Sequence, residues 1–211
     1  MKQQYIIAIG ASAGGLQEIN SFFDHTPLDG VSYVIIQHLS ENYKSMMAGL
    51  LAKHSKLTIC EAENNMLVEA NKVYLIPSKD YMTINNGRLF LTEKQKSRTP
   101  HLTINTFFNS LALDIGNKAI AVVLSGTGAD GTEGTEAIKR AGGMVIVSDP
   151  ANAEYKEMPS NAIDTGIVDF VLLPEQMPSV IENYVNKKEQ AAGNFQKSKR
   201  KKDPGSPLLN I

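Results

Sequence analysis

Three residues in this sequence could together cleave an ester or amide. Ser12 lies in Gly10-Ala11-Ser12-Ala13-Gly14, which fits G-x-S-x-G, the pattern of a nucleophile on a sharp strand-to-helix turn. Small residues on both sides let the chain bend tightly. The serine hydroxyl is then left near a helix N-terminus, where backbone N–H groups can stabilise an oxyanion. The same five residues also suit a plain tight turn or a phosphate cradle. A serine hydroxyl is a weak nucleophile without a base. His38 is the candidate base, because it directly follows an apolar, strand-like run. A base held in one tautomer leans on a carboxylate. Asp130, in the glycine-rich turn Ser125-Gly126-Thr127-Gly128-Ala129-Asp130-Gly131, fits that part. It could instead cap the helix expected to begin near Thr132. His25 and His54 close helices and His101 borders a polar loop, so each reads as structural.

The order of these residues matters. An α/β-hydrolase runs Ser, then Asp or Glu, then His, with its nucleophile well into the chain. Here the serine follows the first strand and the acid comes last, so the ordinary lipase fold is disfavoured. Ser12 occupies the second glycine position of G-x-G-x-x-G, and no Lys follows the glycines as in a Walker A loop. A nucleotide-binding reading therefore rests on the glycine turns alone.

Those turns need elements to hold them. Tyr5-Ile6-Ile7-Ala8-Ile9 is a short apolar run suited to a strand buried on both faces. Leu16, Ile19, Phe22 and Phe23 recur at helical spacing after it. A second buried strand is expected at Tyr33–Ile36, and an amphipathic helix through Met46, Met47, Leu50 and Leu51. The middle changes character, with short strands at 58–61, 72–76 and 81–84. Asn86-Gly87 then links Ile84-Asn85 to Arg88-Leu89-Phe90-Leu91, a strong hairpin signal. Residues 92–101 are polar and read as a loop. Alternation resumes with a helix through Ile104, Phe107, Phe108 and Leu111, a strand at 119–124, and a helix over 132–141. A strand at 144–147, a short helix over 159–165, a strand at 170–172 and a helix from about Pro174 to Asn186 complete it. The expected fold is α/β: a doubly wound, mostly parallel sheet with helices on both faces and an inserted antiparallel hairpin. In such a sheet, ligands bind at the carboxyl ends of strands where strand order switches. Gly10–Gly15, Gln37-His38 and Ser125–Gly131 all follow strands.

Composition supports one domain and a tail. The chain has 211 residues, 42% of them apolar, enough for a single core. No apolar run approaches the roughly 18 residues of a spanning helix, so direct membrane insertion is not expected. No secretory signal is expected either, and cytoplasmic residence is the default. Cys60 is the single cysteine, so no internal disulfide can form. The scattered histidines give no zinc spacing. Residues 187–211 carry a net charge of +5, against −6 for residues 1–186. That division separates a catalytic domain from a basic, linker-like tail. The acidic body argues against a nucleic-acid partner.

Together, the serine turn, Gln37-His38, the 125–131 turn and Glu157-Met158-Pro159-Ser160-Asn161-Ala162-Ile163 resemble the catalytic domain of the chemotaxis protein-glutamate methylesterases, the CheB family. The resemblance spans about residues 5–185. It implies a serine hydrolase that acts on γ-glutamyl methyl esters of chemoreceptor cytoplasmic helices and releases methanol, with deamidation of receptor glutamines as a further activity. It implies Ser12 as nucleophile, His38 as base and then acid, Asp130 as the group orienting His38, and no metal or organic cofactor. Backbone groups near Ser12 and in the 125–131 turn become candidate oxyanion donors. Ala13 stands where the family commonly has Thr, and Thr127 where it commonly has Met. Both resemble the branch joined to a receptor methyltransferase domain in one long protein. The family's usual N-terminal receiver domain is absent from this sequence, so control by receiver phosphorylation within this polypeptide is not expected. These departures also motivate an alternative, a catalytically weak receptor-docking or regulatory module of a larger signalling protein.

Overall fold

The computed structural model describes residues 4–28, 30–37, 44–95 and 101–201. The N-terminal run forms strand β1 (Ile6–Ala11), followed by helix α1 (Gly15–Asp24), strand β2 (Ser32–Gln37) and helix α2 (Lys44–Leu51). The middle holds β3 (Thr58–Glu61), β4 (Met66–Leu67), β5 (Lys72–Leu75), β6 (Asp80–Asn85) and β7 (Arg88–Glu93). Alternation returns with α3 (Thr103–Ile115), β8 (Ala119–Val123), α4 (Thr132–Arg140), β9 (Met144–Ser148), α5 (Glu157–Asp164), β10 (Phe170–Leu172) and α6 (Met177–Lys201).

Seven strands form one sheet in the order β10-β9-β8-β1-β2-β5-β3. All of its pairs are parallel. Every residue of β1, β2, β8 and β9 is buried, as expected of strands covered on both faces. Successive side chains of β1 point to opposite layers. Ile6 and Ala8 join a core with Ile104, Phe107, Phe108 and Ile138 from α3 and α4. Ile7 and Ile9 join a core with Ile19, Phe22 and Phe23 from α1, and Met177 and Ile181 from α6. The fold class is thus the doubly wound one expected.

The antiparallel part is a separate three-stranded sheet, β4-β7-β6. Its hairpin turns at Asn86 and Gly87, both at positive φ (51° and 71°). That is the conformation a two-residue type I′ turn requires. The strands at 58–61 and 72–75 belong instead to the parallel sheet, where β5 pairs with both β2 and β3. Sequence patterning did not find β4, which has only two residues.

The last helix runs to Lys201 rather than ending near Asn186. Its buried apolar residues include Met177, Ile181 and Val185, and residues 186–191 are exposed. Beyond them, Lys187-Lys188-Glu189-Gln190-Ala191 are strong helix formers. Apolar periodicity marks only the docked part of such a helix. Among the described residues, no helix is long and apolar enough to cross a membrane.

β1 sits between β2 and β8. The chain leaves β1 toward β2 on one side and returns to its other side at β8. Strand order switches here, and the carboxyl ends of β1 and β8 flank the crevice.

Candidate active site

Ser12 is the first residue after β1 and is half-buried. Its own N–H donates to the Ser125 carbonyl at 3.0 Å, and its carbonyl accepts from Gly15 N at 3.1 Å. The turn then passes through Gly14, which caps α1 in the left-handed region at φ 71°. Glycine meets that demand without steric cost. The two glycine turns are therefore bonded to each other at the serine itself.

Ser125 makes the rest of that junction. It is fully buried. Its Oγ donates to the Ala13 carbonyl at 3.0 Å and accepts from Tyr155 N at 3.0 Å. Its N–H donates to Glu18 Oε2 at 2.9 Å. Glu18 lies in the first turn of α1. Burial pushes its carboxyl above the ordinary value, and the Ser125 amide pulls it partly back. The next residue, Gly126, packs directly on Ser12. A Cβ there would stand 2.9 Å from Ser12 Cβ and would collide with Met158 Sδ. Met158 belongs to the segment that carries part of the family resemblance, and its side chain is buried on α5.

Asp130 is 7% exposed. Its Oδ2 accepts from Ile104 N and its Oδ1 from Asn105 N, both at 2.9 Å. It caps α3, not the α4 helix that follows it. Asn105 returns the bond: its Oδ1 accepts from Gly131 N at 3.0 Å and Gly134 N at 2.8 Å, capping α4. Each helix thus supplies the other's cap. This reciprocal lock holds the acid turn rigidly.

Ser12 and Asp130 line one cleft of about 650 Å³, together with His101, Leu102, Asn105 and Thr127. Glu133 and Glu136 stand on the α4 side. His38 lies outside the described residues. The residue before it, Gln37, pairs with Ala11, the residue before Ser12. His25 bonds Ser21 O through Nδ1, and His54 bonds Asp24 Oδ1 at 2.8 Å. Both sit at the far end of α1 from Ser12.

The oxyanion candidates narrow. The amides of Ser12, Ser125, Gly126, Gly128 and Gly131 are already engaged. Those of Ala13, Gly14, Thr127 and Ala129 have no acceptor among the described residues. A serine beside free amides at a helix N-terminus can attack a carbonyl and hold the resulting oxyanion.

A family model described as CheB methylesterase matches residues 7–181. The chain belongs to the CheB methylesterase family. The CheB methylesterase catalytic domain of Thermotoga maritima, a crystal structure, superposes with a TM-score of 0.80 at 28% identity, over 86% of this chain and 99% of that one. A protein-glutamate methylesterase/protein-glutamine glutaminase of Thiobacillus denitrificans is 31% identical over 88% of this chain and 54% of its own length. A putative one from Leptospira interrogans is 31% identical over 81% of this chain and 90% of its own length. An uncharacterised 104.1 kDa protein of Rhodobacter capsulatus is 42% identical over 66% of this chain, which is 14% of that protein. The chain spans about half the length of several of the curated CheB relatives it matches.

Glu18, Asn105 and His101 are the site residues that sequence reasoning missed. Glu18 looks like an ordinary acidic residue in a helix's first turn. Asn105 sits inside the α3 pattern, and its partners lie 26 and 29 residues away. His101 borders a polar segment and gives no pattern of its own.

Proposed function

We infer that this chain is a protein-glutamate methylesterase. Its substrates are γ-glutamyl methyl esters on the cytoplasmic helices of methyl-accepting chemoreceptors. The meeting of Ser12 and Asp130 in one cleft at the strand-order switch carries this reading. In it, His38 takes the proton from Ser12 Oγ as Oγ bonds to the ester carbonyl carbon. Free amides of the two turns hold the oxyanion. The bond to the methoxy oxygen breaks, and His38 returns the proton to release methanol. A water then gives a proton to His38 and attacks the acyl-serine. Ser12 Oγ leaves and is reprotonated, and the glutamate side chain is freed. The sum is ester plus water to carboxylic acid plus methanol. Asp130 orients His38 and stabilises its cation. A receptor glutamine would follow the same course with ammonia as the leaving group. Serine, base and acid supply this chemistry without a metal or organic cofactor.

The reaction belongs in the cytoplasm, where those receptor helices lie. We assign it to residues 1–186, with 187–211 as a basic connecting segment. Ala13, Thr127 and the length of the Rhodobacter capsulatus relative support kinship with chains that also carry a receptor methyltransferase domain. A serine-directed fluorophosphonate should add once to the intact protein, at Ser12, by peptide mass mapping. His38→Ala should slow that labelling and ester turnover by about a thousandfold or more. Labelling at another serine, or an unchanged rate in His38→Ala, would contradict the assignment.

A further inference from the structure

His101 is a second histidine at the Ser12 cleft, and the proposed chemistry does not use it. It lines the same cavity as Ser12 and Asp130. Its Nδ1 is bonded to the Tyr81 hydroxyl at 2.7 Å. The two rings meet edge to face, 5.6 Å apart. Tyr81 lies on β6 of the small antiparallel sheet, and Lys94 Nζ stands 5.9 Å from its ring centroid. His101 is also held by the chain. Leu102 and α3 follow it, and α3's first-turn amides are fastened by Asp130. The imidazole is therefore fixed from two sides. Nε2 has no partner among the described residues.

That geometry sets the ring's chemistry. When the tyrosine hydroxyl donates to Nδ1, the neutral ring carries its proton on Nε2. Nε2–H is then an oriented donor at the cleft. Leu102 beside it is 46% exposed and offers an apolar contact. Within a docked helix the main-chain carbonyls are already paired. A donor facing such a helix therefore selects a side-chain oxygen. Glu133 and Glu136 on the cleft's other side disfavour a carboxylate and favour a neutral amide or ester.

We propose that His101, positioned by Tyr81, is a substrate-binding residue whose Nε2–H donates to a neutral side-chain carbonyl of the substrate helix beside the scissile ester. The proposal rests on the methylesterase reading and adds a specificity determinant to it. Tyr81 is a positioning residue that acts through His101.

The test uses the intact protein and a chemoreceptor cytoplasmic fragment carrying glutamyl methyl esters. His101→Ala should raise KM by about three- to tenfold, the worth of one hydrogen bond, with kcat nearly unchanged. His101→Gln should restore most of the loss, because the glutamine amide nitrogen can donate in place of Nε2. Tyr81→Phe should raise KM less, and should add nothing when combined with His101→Ala. In the free wild type, imidazole nitrogen NMR should show the neutral ring protonated at Nε2, with Tyr81→Phe mixing the tautomers. An unchanged KM in His101→Ala, no rescue by glutamine, or a proton on Nδ1 would overturn the proposal. Binding of a glutamine-bearing fragment to the Ser12→Ala protein gives a readout independent of turnover. Absence of methanol release from wild type would count against the methylesterase reading. An undiminished affinity of the Ser12→Ala/His101→Ala protein would count against His101 alone.

Discussion

Asp130 spends both carboxylate oxygens on the first-turn amides of α3. An asparagine there keeps one acceptor and turns an NH2 toward an N–H donor. Asp130→Asn should therefore lose about 1–3 kcal/mol of stability in urea unfolding, and ester turnover should fall at least about a hundredfold. A variant as stable as wild type would deny the cap. Gly126 is constrained for a different reason, since it lies against Ser12 Cβ and Met158 Sδ at once. Gly126→Ala should displace Ser12 and cut kcat by about tenfold or more. Adding Met158→Ala removes only one of the two collisions, so it should not restore kcat; full recovery would show that Met158 alone sets the constraint. At this scale the sequence marked Ser12 and Asp130 as candidates, because each lies in a short glycine-rich pattern after an apolar run. It was silent on the bonds that hold them. Nothing near Asp130 in sequence reveals that its partners are Ile104 and Asn105.

Among the elements, α1 is tied to the acid turn by a single half-buried carboxylate, Glu18. Burial raises its folded-state value above the ordinary one. The folded protein therefore holds that proton more tightly than the unfolded chain does. Stability from this group is present below the ordinary carboxyl value and is lost as pH rises through the raised one. Glu18→Gln keeps an oxygen for the Ser125 amide and removes the titration. Relative to Glu18→Gln, wild type should lose stability between about pH 4 and the raised value. Urea midpoints measured across that range check the sign, and a wild-type gain on raising pH would contradict it. The strands and helices of the alternating parts were legible because apolar runs and helical spacing report burial directly. The destination of the middle strands was not legible. Thr58–Glu61 and Lys72–Leu75 look like any short strand, and only tertiary pairing sends them to the parallel sheet.

For the whole molecule, the doubly wound topology does the positioning. It places the ends of β1 and β8 side by side, and the Ser12–Ser125 bond joins their turns. Residues 186–191 of α6 are exposed, after the buried Met177, Ile181 and Val185. Removing residues 187–211 should thus leave stability within about 0.5 kcal/mol and methanol release unimpaired. A collapse of either on truncation would place the basic segment inside the functional unit. Apolar periodicity fades near Asn186, yet the helix continues to Lys201 through good helix formers, which periodicity does not register.

Hydrolysis of receptor glutamyl methyl esters by Ser12 is the proposed activity. It is tested most directly by incubating the protein with a methyl-labelled chemoreceptor cytoplasmic fragment and measuring labelled methanol, beside Ser12→Ala. Release by wild type, with Ser12→Ala slower by about a thousandfold or more, is the predicted result. Equal release by both proteins, or none from folded wild type across several receptor fragments, would contradict it.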